Sequence, residues 1–136
     1  RRKVQTMLAA IPQAEGVNNH MGSRLTEDEA AMAVVLQTLK EHAHFFIDSY
    51  TSPVSKGLAT AERLGVPASR RDVFLDNVQE PRRICLRLEE LAAVAKKRGW
   101  AIGIGHPYPA TLQALNECGQ QLLQSVDLVV AGQLVQ

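Results

Sequence analysis

The sequence predicts an α/β domain built from parallel βα repeats, and three observations carry that prediction. Four polar residues each close a short, mostly apolar run: His20 ends GVNNH, Asp48 ends HFFID, Asp76 ends DVFLD and His106 ends AIGIGH. Their gaps (48 − 20 = 28, 76 − 48 = 28 and 106 − 76 = 30) match the roughly 30 residues that one strand, one helix and two short loops occupy. Helix-period apolar stripes lie between the runs, and crossovers of helix length are what parallel strand pairing requires. The four side chains therefore share one register position, the C-terminal tip of a strand, where parallel α/β folds carry ligands and chemistry.

The elements follow in order. Val4, Met7, Leu8 and Ile11 share one helical face until Pro12 stops the helix, and a short strand around Gly16-Val17 follows. Thr26 and Glu29 have the spacing of a capping box, opening a helix with Met32, Val35, Leu36 and Leu39 on its buried stripe. Phe45-Phe46-Ile47 is continuous, short and apolar, as a strand buried on both faces should be. A weaker helix with Leu58, Ala61 and Leu64 ends at Gly65 and Pro67, and Val73-Phe74-Leu75 reads as the third strand. Pro81 starts a helix with Ile84, Leu88, Leu91 and Ala95 inward, and Gly99 occupies the position that ends it. Ala101 to Ile104 read as the fourth strand. Pro109 pre-sets φ for a helix containing Leu112, Leu115 and Leu122, and Val126 to Val130 read as a fifth strand.

No linker or low-complexity tract divides residues 1–136, which read as a single domain. Five strands cannot close an eight-unit barrel, which takes about 200 residues or more. The sheet is therefore either open or the C-terminal portion of a larger (β/α) barrel. The opening RRKVQTMLAAI, without an initiator Met, favours the second, with N-terminal strands and any export signal lying upstream.

Composition narrows the function classes. A net charge of +1 gives no long-range field for nucleic acid, and 4% aromatic residues leave no base-stacking surface. No apolar run approaches the roughly 20 residues of a membrane-spanning helix. The basic clusters Arg70-Arg71, Arg82-Arg83 and Lys96-Lys97-Arg98 read as solvated faces and helix-end cations. Cys85 and Cys118 fall in predicted helices without metal-site spacing. Two free thiols and a disulfide between neighbouring helices are both compatible with that placement.

The residues that could carry chemistry cluster at the strand tips. GVNNHMGS (16–23) surrounds His20 with Asn18, Asn19 and Ser23 between two glycines, and histidine is both a common metal ligand and a common acid–base group. Asp48 follows three apolar residues, where a carboxylate must be paired, hydrogen-bonded or metal-bound. The bland alternative is an Asp that caps the following turn, and Asp76 repeats the ambiguity. His42 and His44 lie at the opposite end of their strand and read as structural. In AIGIGHPYP (101–109) the glycines allow close approach to the backbone, while Pro107 and Pro109 hold His106 and Tyr108 in place, the preorganisation a catalytic histidine needs.

Taken together, GVNNHMGS, FFIDS, RDVFLDN (71–77) and AIGIGHPYPATL (101–112) resemble the divergent polysaccharide deacetylases, a bacterial branch of the NodB-like carbohydrate esterases with a distorted (β/α) barrel. The resemblance runs from about Gly16 to the C-terminus. It implies a metal-assisted hydrolase that removes acetyl groups from N- or O-acetylated poly- or oligosaccharides in the cell envelope, periplasmic or secreted. It further implies a divalent metal, zinc by family habit, with His20 as a ligand and the principal ligands outside this chain. His106 becomes the acid–base or oxyanion-stabilising residue, Asp48 and Asp76 groups that orient the histidines or bind sugar hydroxyls, and Asn18, Asn19 and Tyr108 substrate contacts. The family's Asp-Asp strand and its His-motif strand are not found in residues 1–136, so the expectation is an enzyme only when those strands are supplied. The rival class is a non-catalytic glycan-binding protein that keeps the groove without the chemistry. A third reading leaves the strand-tip residues purely structural.

Overall fold

The computed structural model describes residues 1–136 and resolves them into two compact units, Arg1–Arg70 with Val135–Gln136, and Arg71–Leu134. The first contains α1 (Arg2–Ala10), β1 (Gly16–Asn18), α2 (Ser23–Glu27), α3 (Glu29–Glu41), β2 (Phe45–Asp48), α4 (Gly57–Leu64) and β3 (Ala68–Arg70). Its three strands form a parallel sheet in the order β1-β2-β3, with Gly16 opposite Phe45 and Phe46 opposite Ala68. Gly16 is fixed by that register, since a Cβ there would lie 2.2 Å from the Phe45 ring. Met32, Leu36 and Leu39 from α3 meet Phe46, Ala61, Val66 and Ala68 in the core, where each large apolar side chain contributes roughly 1.5–3 kcal/mol. Gly65 ends α4 in the left-handed conformation, as its lack of a Cβ permits.

The second unit contains β4 (Val73–Phe74), α5 (Pro81–Arg98), β5 (Gly103–Ile104), α6 (Pro109–Leu123) and a 3₁₀ turn, η1 (Ala131–Leu134). β4 and β5 pair in parallel, Val73 opposite Gly103, with α5 as the crossover. Pro81 and Pro109 both sit in the first helical turn, where the missing N–H costs nothing. Ile84, Leu88 and Ala92 of α5 are buried with Val73, Ile102 and Ala114. At the far end of the strands Arg98 grips Asp72 through two bonds of 2.8 and 2.6 Å, and Asp72 also accepts the Ile102 N–H at 2.8 Å. Cys85 and Cys118 form a disulfide that ties α5 to α6.

The parallel βα succession holds, and five expectations about its details change. The strands form two sheets, and Ala68–Arg70, which has no apolar run, becomes a strand by pairing with β2 on one side and with Gln136 on the other. Residues 126–130 form no strand: they have no partner ladder, and Leu128, Val129 and Val130 are exposed. The N-cap of α3 is Asp28, whose carboxylate accepts the Ala31 N–H at 3.0 Å, while Thr26 lies inside α2. The inward face of α6 carries Thr111 and Ala114 while Leu112 and Leu115 face out, and α1 rests on Val4 and Leu8 with Met7 and Ile11 exposed. In α6 the outer stripe has the helical period but the smaller residues beside it make the closer contact, whereas in α1 only two of the four stripe residues are covered.

Candidate functional site

Each of the four spaced residues sits at the C-terminal end of a parallel strand: His20 two residues after β1, Asp48 at the end of β2, Asp76 two residues after β4 and His106 two residues after β5. His20 and Asp48 belong to the first unit, Asp76 and His106 to the second.

In the first unit the loop after β1 is laced to the loop after β2. Asn18 Nδ2 donates to Ser49 Oγ at 3.1 Å, the Ser49 N–H donates to Asn19 Oδ1 at 2.8 Å, and Ser23 Oγ donates to the Thr51 carbonyl at 3.2 Å. His20 is exposed on that lacing. Asp48 is 1% exposed, and both its oxygens are engaged: Oδ1 accepts the Tyr50 N–H at 2.8 Å, and Oδ2 accepts Ser55 Oγ at 2.7 Å and the Leu58 N–H at 3.3 Å. Leu58 lies in the first turn of α4, so Asp48 holds both the turn behind its strand and the start of the next helix. Gly57 is required by this arrangement, because a Cβ there would lie 2.5 Å from Asp48 Oδ2. Tyr50 takes a left-handed φ of 48°, uncommon for a residue with a side chain. It is held there by Asp48, by its own hydroxyl donating to the Pro53 carbonyl at 3.0 Å, and by the Arg70 guanidinium over its ring.

The second unit brings together the most chemically suggestive group. The side chain of Asp76 has no solvent exposure and faces three donors. Oδ1 meets His106 Nδ1 at 3.0 Å, while Oδ2 accepts both the His106 backbone N–H and, at 2.9 Å, the Thr111 hydroxyl. Burial pushes the Asp76 carboxyl up, but the His106 N–H, the His106 ring, the Thr111 hydroxyl and the histidine's charge together outweigh it and hold the group below its ordinary value. An ionised carboxylate only accepts, so His106 must carry its proton on Nδ1 to satisfy this bond, which makes Nε2 the basic nitrogen. Tyr108 lies beside the imidazole at 5.1 Å between ring centroids and Phe74 at 5.6 Å, both tilted to it, so two aromatic rings pack against the histidine. Gly105 leaves the space that Oδ2 occupies, since a Cβ there would come within 3.2 Å of it.

Thr111 is the member of this group that sequence reasoning missed. Its signal was a threonine at the position that shares an inward helical face with Ala114, where an apolar residue is the default. Ser55 was missed likewise, because its role depends on a turn that brings it back seven residues onto Asp48.

A buried Asp–His pair at parallel strand tips decides little by itself about reaction class; the order of the four motifs decides more. The sequence pattern of divergent polysaccharide deacetylases matches residues 1–135. The chain belongs to that family. Among similar proteins, the uncharacterized protein YibQ of Escherichia coli (strain K12) is 34% identical over 134 residues, covering 98% of this chain and 42% of YibQ. An uncharacterized protein of Haemophilus influenzae (strain ATCC 51907 / DSM 11121 / KW20 / Rd) is 35% identical over 132 residues, covering 97% of this chain and 47% of that protein. This deacetylase-family chain thus spans less than half the length of these two relatives. A crystal structure of an uncharacterized protein from Agrobacterium tumefaciens C58 superposes with a TM-score of 0.85 over 89% of this chain and 50% of the other; at 24% identity the likeness speaks for the fold.

The family implies a metal, and the donor set can be tested against it. Catalytic zinc takes about three protein ligands, and nowhere do three or more His, Cys, Asp or Glu side chains come together to hold an ion. Both oxygens of Asp48 and of Asp76 are committed to protein donors. The residues of this chain do not fit a catalytic metal centre by themselves.

Proposed function

We propose that this chain is part of a deacetylase-like hydrolase acting on acetylated poly- or oligosaccharides, with His106 as its acid–base residue and Asp76 as the carboxylate that orients it. The supporting observation is the Asp76–His106 pair: a buried, ionised carboxylate bonded to one ring nitrogen at a strand tip. Removing an acetyl group from an amide or ester requires water to add to the carbonyl carbon and the C–N or C–O bond to break. Acetate is released, and the leaving nitrogen or oxygen takes a proton. A histidine whose Nδ1 proton is held by a carboxylate can take a proton at Nε2 from the attacking water and then deliver it from Nε2 to the leaving nitrogen or oxygen. Asp76 stabilises the imidazolium in between, and Tyr108 and Phe74 pack against the ring. Asn18 and Asn19, with amides at the rim of the first unit, are proposed sugar contacts, and Asp48 the brace behind them.

His20 is proposed as one ligand of a divalent metal, zinc by family habit, whose principal ligands come from outside residues 1–136; no chemical step above depends on it. Metal content of the complete gene product, with and without His20→Ala, tests that proposal. A periplasmic or secreted location is proposed as well, supported by the Cys85–Cys118 disulfide, a bond that persists in oxidising compartments. No helix is long and apolar enough to cross a membrane.

The test of function is acetate release by the complete gene product from N-acetylated and O-acetylated glycans, alongside glycan binding. Release supports the hydrolase reading. Binding without release replaces it with the non-catalytic glycan-binding reading, and the absence of both release and binding overturns both readings.

A further inference from the structure

We propose that Thr111 is a positioning residue for the Asp76–His106 pair, holding the carboxylate in the one rotation that presents Oδ1 to the histidine ring. Its value to catalysis rests on the acid–base role of His106; its effect on the pair's geometry does not.

A carboxylate facing a single donor can rotate about its Cβ–Cγ bond and share that donor between two equivalent oxygens. Asp76 cannot, because its donors are divided. Oδ2 takes the His106 backbone N–H and the Thr111 hydroxyl, leaving Oδ1 for Nδ1. The backbone bond alone would not hold this division, since the same peptide segment carries the ring it must orient. Thr111 anchors the carboxylate from a different element.

That element is well placed to act as a reference. Thr111 lies in the first turn of α6 and is 5% exposed. Further along the helix Ala114 is fully buried, and Cys118 is covalently joined to Cys85 of α5. The donor therefore sits on a tethered helix, whereas His106 sits on a loop, and a site braced from helices is held more precisely than one on loops alone. The Thr111 hydroxyl donates to Asp76, 35 residues away in sequence.

The experiment uses the full chain labelled with ¹⁵N, with the His106 ring signals assigned by difference from His106→Ala. Ring nitrogen shifts report the tautomer at neutral pH, and hydrogen exchange reports the His106 backbone N–H. The parent should show a single Nδ1–H tautomer and a protected amide. Thr111→Val keeps the side chain's shape without its donor; it should give a mixture of tautomers and amide exchange about fivefold faster, the scale of one ordinary hydrogen bond. Thr111→Ser keeps the donor without the methyl and should restore both parental signatures. Should the valine variant fail to fold, Thr111→Ala makes the same comparison against the serine variant. A folded valine or alanine variant with the parental tautomer and amide protection would overturn the proposal, as would a folded serine variant that loses both. Neither readout involves acetate release, so failure here is distinguishable from failure of the hydrolase reading.

Discussion

Asp76 and Asp48 meet the same physical demand with different consequences. Each carboxylate is buried at a strand tip and bonded to three donors, and burying such a group without partners would cost several kcal/mol. Around Asp48 two of the three donors are backbone N–H groups and the third is a serine, so what it organises is a turn and a helix start. Around Asp76 one donor is an imidazole, so what it organises is a proton-transfer group. Asp76→Asn replaces an all-acceptor group with one acceptor and one donor facing three donors, and should cost about 2–4 kcal/mol in urea unfolding. The pH dependence carries a definite sign. The folded pKa lies below the ordinary 3.8, so the ionised carboxylate's contribution is present above the unfolded pKa and lost as pH falls through the folded value. The stability gap between parent and Asp76→Asn should therefore be full near about pH 7 and shrink by about pH 3. A gap that widens on acidification would contradict the assignment. At Gly57 the demand is steric: Gly57→Ala puts a methyl 2.5 Å from Asp48 Oδ2 and should destabilise by about 1–3 kcal/mol without altering the second unit. Chemical shifts around Asp76 and His106 should stay as in the parent.

At the scale of the element, the disulfide between α5 and α6 is the feature with the largest expected effect. It closes a separation of 33 residues, for which chain-entropy arguments give about 2–4 kcal/mol. Replacing both Cys85 and Cys118 by Ala should lower the thermal midpoint, and adding reductant to the parent should lower it toward the same value; an unchanged midpoint in both would leave the bond without a stabilising role. Helices proved more legible in the sequence than strands here, for local reasons. Pro81, Gly65 and Gly99 mark helix ends by backbone geometry alone. Whether Ala68–Arg70 or residues 126–130 form a strand depends on a partner distant in sequence, which no local pattern records. The face of α6 was misplaced because Leu112 and Leu115 outrank Thr111 and Ala114 in hydrophobicity, yet the smaller pair allows the close approach that the disulfide and the Asp76 bond require.

At the scale of the whole molecule, spacing and motif order were the durable signals. Intervals of 28, 28 and 30 residues located all four strand tips, and the order of the motifs pointed to the family that matches residues 1–135. The partnership of Asp76 with His106 was only suggested, as one of several uses for a strand-tip carboxylate. Fixing it took the parallel register of β4 and β5, which sets those two tips side by side. The central claim is that His106 moves a proton during acetyl removal. Its most direct test is acetate release by the complete gene product and its His106→Ala variant, with thermal midpoints measured side by side. Alanine keeps the backbone N–H that Asp76 accepts and leaves the Thr111 hydroxyl in place, so the variant should still fold, with a loss of about 1.5–3 kcal/mol for the missing ring donor. Turnover of the folded variant should fall by roughly 10²–10⁴-fold. Parental turnover in a folded His106→Ala variant would contradict the account.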